Sequence, residues 1–269
     1  MTKVSQLIRC ALLLGLPVSA AGLESGIQWD HYSLMIDGKR LLSFGGEMHP
    51  WRIPVPELWE DILEKVKASG MNTMSFYTHW GFHAPTADSL DFTSGAHNLT
   101  PLFEQAKAVG VYLHMRPGPY INAETSAGGV PLWITTGAYG SLRNTDETYT
   151  AAWTPYYRAI AEAAAPYQVT RNGTLVLFQV ENEFPNQWIN ATAKTPDEVP
   201  IGYMKLLEAN ARESGIDIAL THNMPSTTGK SWSKDYDTVG AGGDVDIYGL
   251  DSYVSPIYKR LISLQSLIR

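Results

Sequence analysis

The run Thr174-Leu175-Val176-Leu177-Phe178-Gln179-Val180-Glu181-Asn182-Glu183 passes from an almost unbroken apolar stretch into two carboxylates flanking an amide. A strand with helices on both sides has no face turned to water, so it reads as continuous hydrophobe and not as an alternation. Helical patterns flank this run at 151–165 and 202–214. Upstream, strand-like segments at 111–115 and 73–80 are separated by a helix that Thr100-Pro101 opens, that turns Leu102, Phe103, Ala106 and Val109 inward, and that Gly110 stops. Before it, Pro56 opens another helix, with Leu58, Ile62 and Val66 on one face, Trp59 and Leu63 beside it, and Gly70 at its end. Earlier still, 32–36 and 40–44 form a hairpin around Asp37-Gly38, and its second arm continues into Gly45-Gly46-Glu47-Met48-His49. Downstream, 216–221 and 245–250 are further strands. Strands alternating with helices predict a parallel sheet. The doubly wound competitor lacks its G-x-G-x-x-G signature here, and Gly240-Ala241-Gly242-Gly243 precedes a strand instead of opening a helix. With 269 residues, the chain has about the length of one (β/α)8 barrel. The expected class is α/β, a (β/α)8 barrel carried to about its sixth strand.

Composition narrows the function. An apolar fraction of 44% with 17% charged residues is globular, and a net charge of −7 argues against nucleic acid or an anionic membrane as partner. Residues 1–21 read as a secretory signal. Lys3 and Arg9 supply positive charge, an apolar run too short to span a bilayer begins at Cys10, and small residues follow Pro17. The single cysteine, Cys10, falls inside that segment, so no disulfide or thiolate metal site is expected in a mature chain. Sequons at Asn98, Asn172 and Asn190 agree with secretion.

The C-terminal ends of barrel strands carry the chemistry of this fold. Here those ends hold Glu47 and His49, then Tyr77, His79 and Trp80, then Arg116 and Tyr120, then Glu181, Asn182 and Glu183, then Asp251 and Tyr253. Carboxylates, amides and aromatic rings suit a sugar, whose C–H face packs on rings and whose hydroxyls need hydrogen-bond partners. Glycoside hydrolysis needs two carboxyls, one to protonate the leaving oxygen and one to attack or activate water. Strand alternation would send Glu181 and Glu183 to the same side and Asn182 to the other, and spacing does not choose between the two Glu. A barrel-floor ion pair is the competing role for either. His79 and His83 have an i, i+4 spacing, but no Glu follows the first and Gly81 intervenes, so no metal is expected. Trp59 reads as core, and Arg52 as a partner for a carboxylate such as Glu47.

Five runs in order resemble the β-galactosidases of glycoside hydrolase family 35, the large secreted fungal enzymes in particular. They are Gly45-Gly46-Glu47-Met48-His49-Pro50-Trp51-Arg52-Ile53-Pro54, Asn72-Thr73-Met74-Ser75-Phe76-Tyr77, Arg116-Pro117-Gly118-Pro119-Tyr120-Ile121-Asn122-Ala123-Glu124, Val180-Glu181-Asn182-Glu183, and Asp246-Ile247-Tyr248-Gly249-Leu250-Asp251-Ser252-Tyr253. The resemblance covers roughly residues 28–253. It implies a retaining hydrolase that removes terminal β-galactose without any cofactor or metal. It implies Glu183 as acid/base on the fourth strand and Asn182 as the group that holds the sugar 2-hydroxyl. Tyr77, Asn122, Ala123, Glu124 and Tyr253 match galactose-binding positions, with Glu124 a hydroxyl acceptor and not a catalyst.

The resemblance also implies a nucleophile at the end of a seventh strand, downstream of Tyr253 and absent from these 269 residues. Residues 254–269 do not continue the family pattern, and a truncated or mis-spliced product is the expected source. Domain boundaries are therefore expected at 1–21 for the signal, 22–253 for an incomplete catalytic domain, and 254–269 for a tail. Such a chain is expected to be inactive on its own. Action on another β-glycoside, or galactose binding without catalysis, are the alternative functions.

Overall fold

The computed structural model describes residues 26–30, 32–184, 198–224, 232 and 243–251. The expected signal segment, Asn190, Tyr253 and the expected tail lie outside them. A small antiparallel sheet comes first, with β1 (Ile27–Trp29), β2 (Leu34–Ile36) and β3 (Lys39–Leu41) in sequential order. Asp37 and Gly38 turn β2 into β3 with φ of 49° and 73°, the left-handed pair that a tight hairpin of this hand demands. The hairpin arm does not run on. Gly45–Glu47 is a separate strand, β4, and it opens a second sheet.

That second sheet positions the site. β4, β5 (Thr73–Tyr77), β6 (Tyr112–Arg116), β7 (Leu175–Gln179), β8 (Ala219–Met224) and β9 (Ile247–Leu250) pair in chain order, every pair parallel. Helices α1 (Trp59–Ala68), α2 (Trp80–His83), α3 (Thr100–Val109), α4 (Glu147–Ala164) and α5 (Glu198–Glu213) fall between the strands. The sequential parallel order is that of a (β/α)8 barrel over its first six strands. A doubly wound sheet would reverse its order at one strand.

Local chemistry explains most boundaries. Asp146 caps α4 by accepting from the Thr148 and Tyr149 amides, so the helix begins four residues before 151. Gly110 ends α3 in a left-handed cap at φ 77°. The segment at 73–80 is not all strand, because His79 Nδ1 accepts from the Phe82 amide at 3.0 Å and caps α2 at Trp80. In α1 the expected inner face is displaced. Trp59 and Leu63 are fully buried, whereas Leu58 precedes the helix in a 3-10 turn and is 50% exposed. Trp59 is core, as its sequence context implied, and its indole N–H donates to the Ile53 carbonyl at 2.8 Å. The buried layer between sheet and helices is rich in rings, with Trp80 stacked on Tyr156 and Trp153 set edge-on to Tyr157.

Candidate active site

The C-terminal ends of β5, β6 and β7 meet at one amide oxygen. Asn182 Oδ1 accepts from the Tyr77 hydroxyl at 2.9 Å and from Arg116 Nη2 at 2.9 Å. Arg116 also donates through Nη1 to Glu47 Oε2 at 2.7 Å, and its guanidinium stands 4.0 Å from the Tyr77 ring centroid. Burial pushes the Tyr77 phenol above its ordinary range, so it remains a neutral donor. Glu47 therefore pairs with Arg116, not with Arg52. The expected Arg52–Glu47 pair is absent because Arg52 lies over the Trp51 ring and donates to the Ala123 carbonyl oxygen.

Strand alternation fails beyond Gln179. Glu181 and Glu183 both have left-handed φ, 63° and 46°, so the chain coils instead of extending. The coil turns the two carboxylates to different surroundings and brings Asn182 inward between them. Glu181 is completely enclosed. It accepts Arg143 Nε at 3.1 Å, Arg143 Nη2 at 2.7 Å, the Tyr203 hydroxyl at 3.1 Å and the Asn182 amide at 2.8 Å. Glu183 is half-buried, with the carboxyl of Asp251 near enough to act on its ionisation. Desolvation first, and then the bond to Asp251 and its charge, raise the Glu183 pKa, against the opposing pull of Arg116 and Arg143. Like carboxyls in contact cannot both ionise at ordinary cost.

The loop after β6 supplies the remaining positions. Asn122, Ala123 and Glu124 stand at φ 54°, 44° and 47°, three consecutive non-glycine residues in the left-handed region. Each costs about 1–2 kcal/mol in that conformation, so the loop is held by its surroundings. Thr125 donates its amide to the Asn122 carbonyl at 3.0 Å, and Arg52 anchors the Ala123 carbonyl. Ala123 packs with Tyr77, Ile121 and Trp51, which joins this loop to the end of β5. Glu124 is exposed, and its charge reaches His49. Of the expected site residues, Tyr77, Asn182 and Glu183 are thus brought together, Asn122 to Glu124 lie beside them, and Tyr253 is outside the described residues. His79 and His83 do not converge as ligands. His79 caps α2, and His83 Nδ1 meets the Asp91 carbonyl at 2.9 Å.

Sequence reading missed Arg143 and Asn223. Arg143 belongs to an unpatterned loop and carries no local signal. Asn223 stands two residues beyond Thr221 on β8, and such an inward polar pair at period two is a signal that was available. Behind these groups a cavity of about 310 Å³ opens on the inner face of the sheet. His114, Gln179, Thr221, Asn223 and Asp251 line it.

Residues 33–258 match the family model Glycosyl hydrolases family 35. The chain belongs to this family. Several relatives are similar over most of the chain. A protein of Penicillium rubens named "Probable beta-galactosidase B" is 52% identical over 240 residues, covering 89% of this chain and 24% of that protein. One of Talaromyces marneffei with the same name is 53% identical, covering 89% and 24%. One of Aspergillus niger is 48% identical over 271 residues, covering 95% and 26%. The chain thus spans about a quarter of the length of these relatives. Among solved structures, a β-1,4-D-mannanase from Cryptopygus antarcticus superposes with a TM-score of 0.57 at 15% identity, covering 84% of this chain and 71% of the other. A GH5_18 protein from Streptomyces cattleya does so at 0.57 and 17%, covering 76% and 48%. At such identities the likeness is one of fold. Among the described residues no helix is long and apolar enough to cross a membrane.

Proposed function

We propose that this chain carries the proton-donor half of a retaining β-galactosidase site, with Glu183 as acid/base. One contrast supports the reading. Of the two carboxylates that end β7, Glu181 is saturated by Arg143, Tyr203 and a backbone amide, whereas Glu183 is held toward its protonated form with its carboxyl partly open. A general acid must carry its proton near neutral pH, and burial with a neighbouring carboxylate is the usual means.

In this reading Asn182 binds the sugar 2-hydroxyl through its amide nitrogen, since its oxygen is already taken by Tyr77 and Arg116. Tyr77, Asn122, Ala123, Glu124 and Tyr253 complete the galactose seat, and Glu124 accepts a hydroxyl. Protonation of the leaving oxygen by Glu183 is followed, in the second half-reaction, by deprotonation of water by the same group. The attacking carboxyl has to stand about 5–5.5 Å away across the anomeric carbon. The family resemblance puts the nucleophile on a seventh strand, which these residues do not include. The chain alone therefore binds galactose and does not turn over β-galactosides. The apolar opening segment and the sequons support a secreted glycoprotein as the context.

Ligand-detected NMR on the 269-residue chain tests both halves. Galactose is expected to bind more tightly than glucose or mannose, with binding weakened at least tenfold by Asn182→Ala. A preference for mannose or glucose overturns the galactoside assignment. Release of nitrophenol from a β-galactoside by this chain, abolished by Glu183→Gln, overturns the claim that it lacks its partner carboxyl.

A further inference from the structure

We infer that Arg143 is a positioning residue for the sugar seat, a side chain that ties the coil after β7 to the loop after β6 and so aims Asn182. The inference rests on the reading that Asn182 binds the sugar 2-hydroxyl. Arg143 stands in the loop before α4, with a left-handed φ of 56°. Its neighbour Asn144 accepts through Oδ1 from the Asp146 amide at 2.8 Å, and Asp146 caps α4, so the loop is fastened to the helix start. The guanidinium donates to Glu181 through Nε at 3.1 Å and Nη2 at 2.7 Å, and Nη2 also donates to the Asn182 carbonyl at 2.8 Å. Glu181 Oε2 accepts the Asn182 amide at 2.8 Å. Both backbone polar groups of Asn182 therefore end on this one ion pair. Glu181 Oε1 also takes the Tyr203 hydroxyl at 3.1 Å, which fastens the pair to α5.

The coil needs such a hold. Left-handed φ at Glu181 and Glu183 is disfavoured for any residue with a Cβ, and it persists only where the surroundings impose it. Charge-assisted bonds from a planar fork supply both strength and direction. The same guanidinium has a second attachment. It stands 4.0 Å from the Tyr120 ring centroid and 5.1 Å from that of Phe184, within reach of a cation–π contact with each. Tyr120 is itself fixed, because its ring packs on Gly128, where a Cβ would have no space, and the next amide, Ile121, donates to the Gly128 carbonyl at 2.8 Å. Arg143 thus touches the coil that carries Asn182 and Glu183 and the loop that carries Asn122, Ala123 and Glu124. Tyr77 and Arg116 hold the Asn182 side-chain oxygen, whereas Arg143 holds the backbone from which that side chain projects. A backbone shift there carries the amide nitrogen away from the sugar, and a binding group works only when its support is rigid. Arg143 acts through Asn182 and not on the sugar.

Arg143→Lys in the 269-residue chain separates positioning from folding. Lysine keeps a cation beside Glu181, but a single ammonium does not reproduce the fork that reaches Glu181 and the Asn182 carbonyl together. The variant is expected to melt cooperatively, as the parent does, and to bind galactose about tenfold more weakly in ligand-detected NMR. Nitrogen-15 spectra give a readout that needs no sugar. The Asn182 side-chain amide signals, assigned by their loss in Asn182→Ala, are expected to move in Arg143→Lys. A folded variant in which those signals stay in place overturns the inference, and so does one that binds galactose as the parent does. A lysine variant that fails to fold assigns Arg143 to the fold alone and overturns it as well. If galactose does not bind the unaltered chain, the galactoside reading fails by itself, and the Asn182 signals then decide the inference.

Discussion

Glu181 accepts four hydrogen bonds, two from Arg143 and one each from Tyr203 and the Asn182 amide, and has no lone pair left to offer a substrate. Its side chain is 0% exposed and that of Arg143 23%, so removing one partner strands the other away from water. Glu181→Ala is therefore expected to destabilise the fold by about 3–5 kcal/mol, the usual cost of breaking a buried ion pair. Urea unfolding measures it. Glu183→Gln is expected to have the opposite character. Because the folded state raises the Glu183 pKa, it binds the proton more tightly than the unfolded chain does. Its ionisation thus lowers stability as pH rises from the ordinary carboxylate value of 4.5 through the raised one. The glutamine variant removes that dependence, so its unfolding midpoint relative to the parent's should rise between pH 4 and pH 7. A difference that falls with pH would contradict the stated direction of the shift.

At the scale of elements, α1 shows how burial can be read nearly correctly from periodicity and still be rotated. The pattern Leu58, Ile62, Val66 has the right spacing, but Pro56 starts a 3-10 turn, and the helix proper begins at Trp59. The tighter winding turns Leu58 outward and brings Trp59 and Leu63 against the sheet. Leu63→Ala is expected to cost about 2–5 kcal/mol, as for other buried leucines. Leu58→Ala should stay within about 0.5 kcal/mol. Thermal unfolding of the two variants separates the assignments, and equal losses would mean the helix face is as the sequence pattern implied. The strand β7 was legible because burial on both faces leaves an unmistakable apolar run. The coil that follows was not, because left-handed φ at Glu181 and Glu183 has no compositional marker when the residues are not glycine.

For the whole molecule, two buried histidines set a pH limit. Burial lowers the pKa of His83 and of His222 to about 4 each, from an ordinary 6.5. The folded state holds both neutral, whereas the unfolded chain protonates them first. The stability they contribute is full above 6.5 and is lost as pH falls from there toward 4. The melting temperature should drop across that window, and His222→Asn should shallow the drop. The sheet has a second consequence at this scale. Among the described residues, β4 and β9 each pair with one neighbour, so no described strand covers their outer edges. Open parallel edges invite pairing with another chain. The 269-residue chain is expected to self-associate with rising concentration in size-exclusion chromatography, and strict monomer behaviour at high concentration would argue that the edges are covered.

Taken alone, the sequence determined the order of helices and strands, the parallel sheet, and the residue types that stand where the strands end. Those properties follow from burial periodicity and turn chemistry, which act over a few neighbouring positions. The tertiary structure decided the rest. It decided that Glu181 belongs to Arg143 and Glu183 to Asp251, that Glu47 takes Arg116 instead of Arg52, and that Asn182 turns inward to Tyr77. These partners lie 38, 69 and 105 positions apart for Arg143–Glu181, Glu47–Arg116 and Tyr77–Asn182. No local pattern reaches across such separations. They meet only because parallel strands bring their C-terminal ends to one face and irregular loops then choose which polar groups satisfy one another.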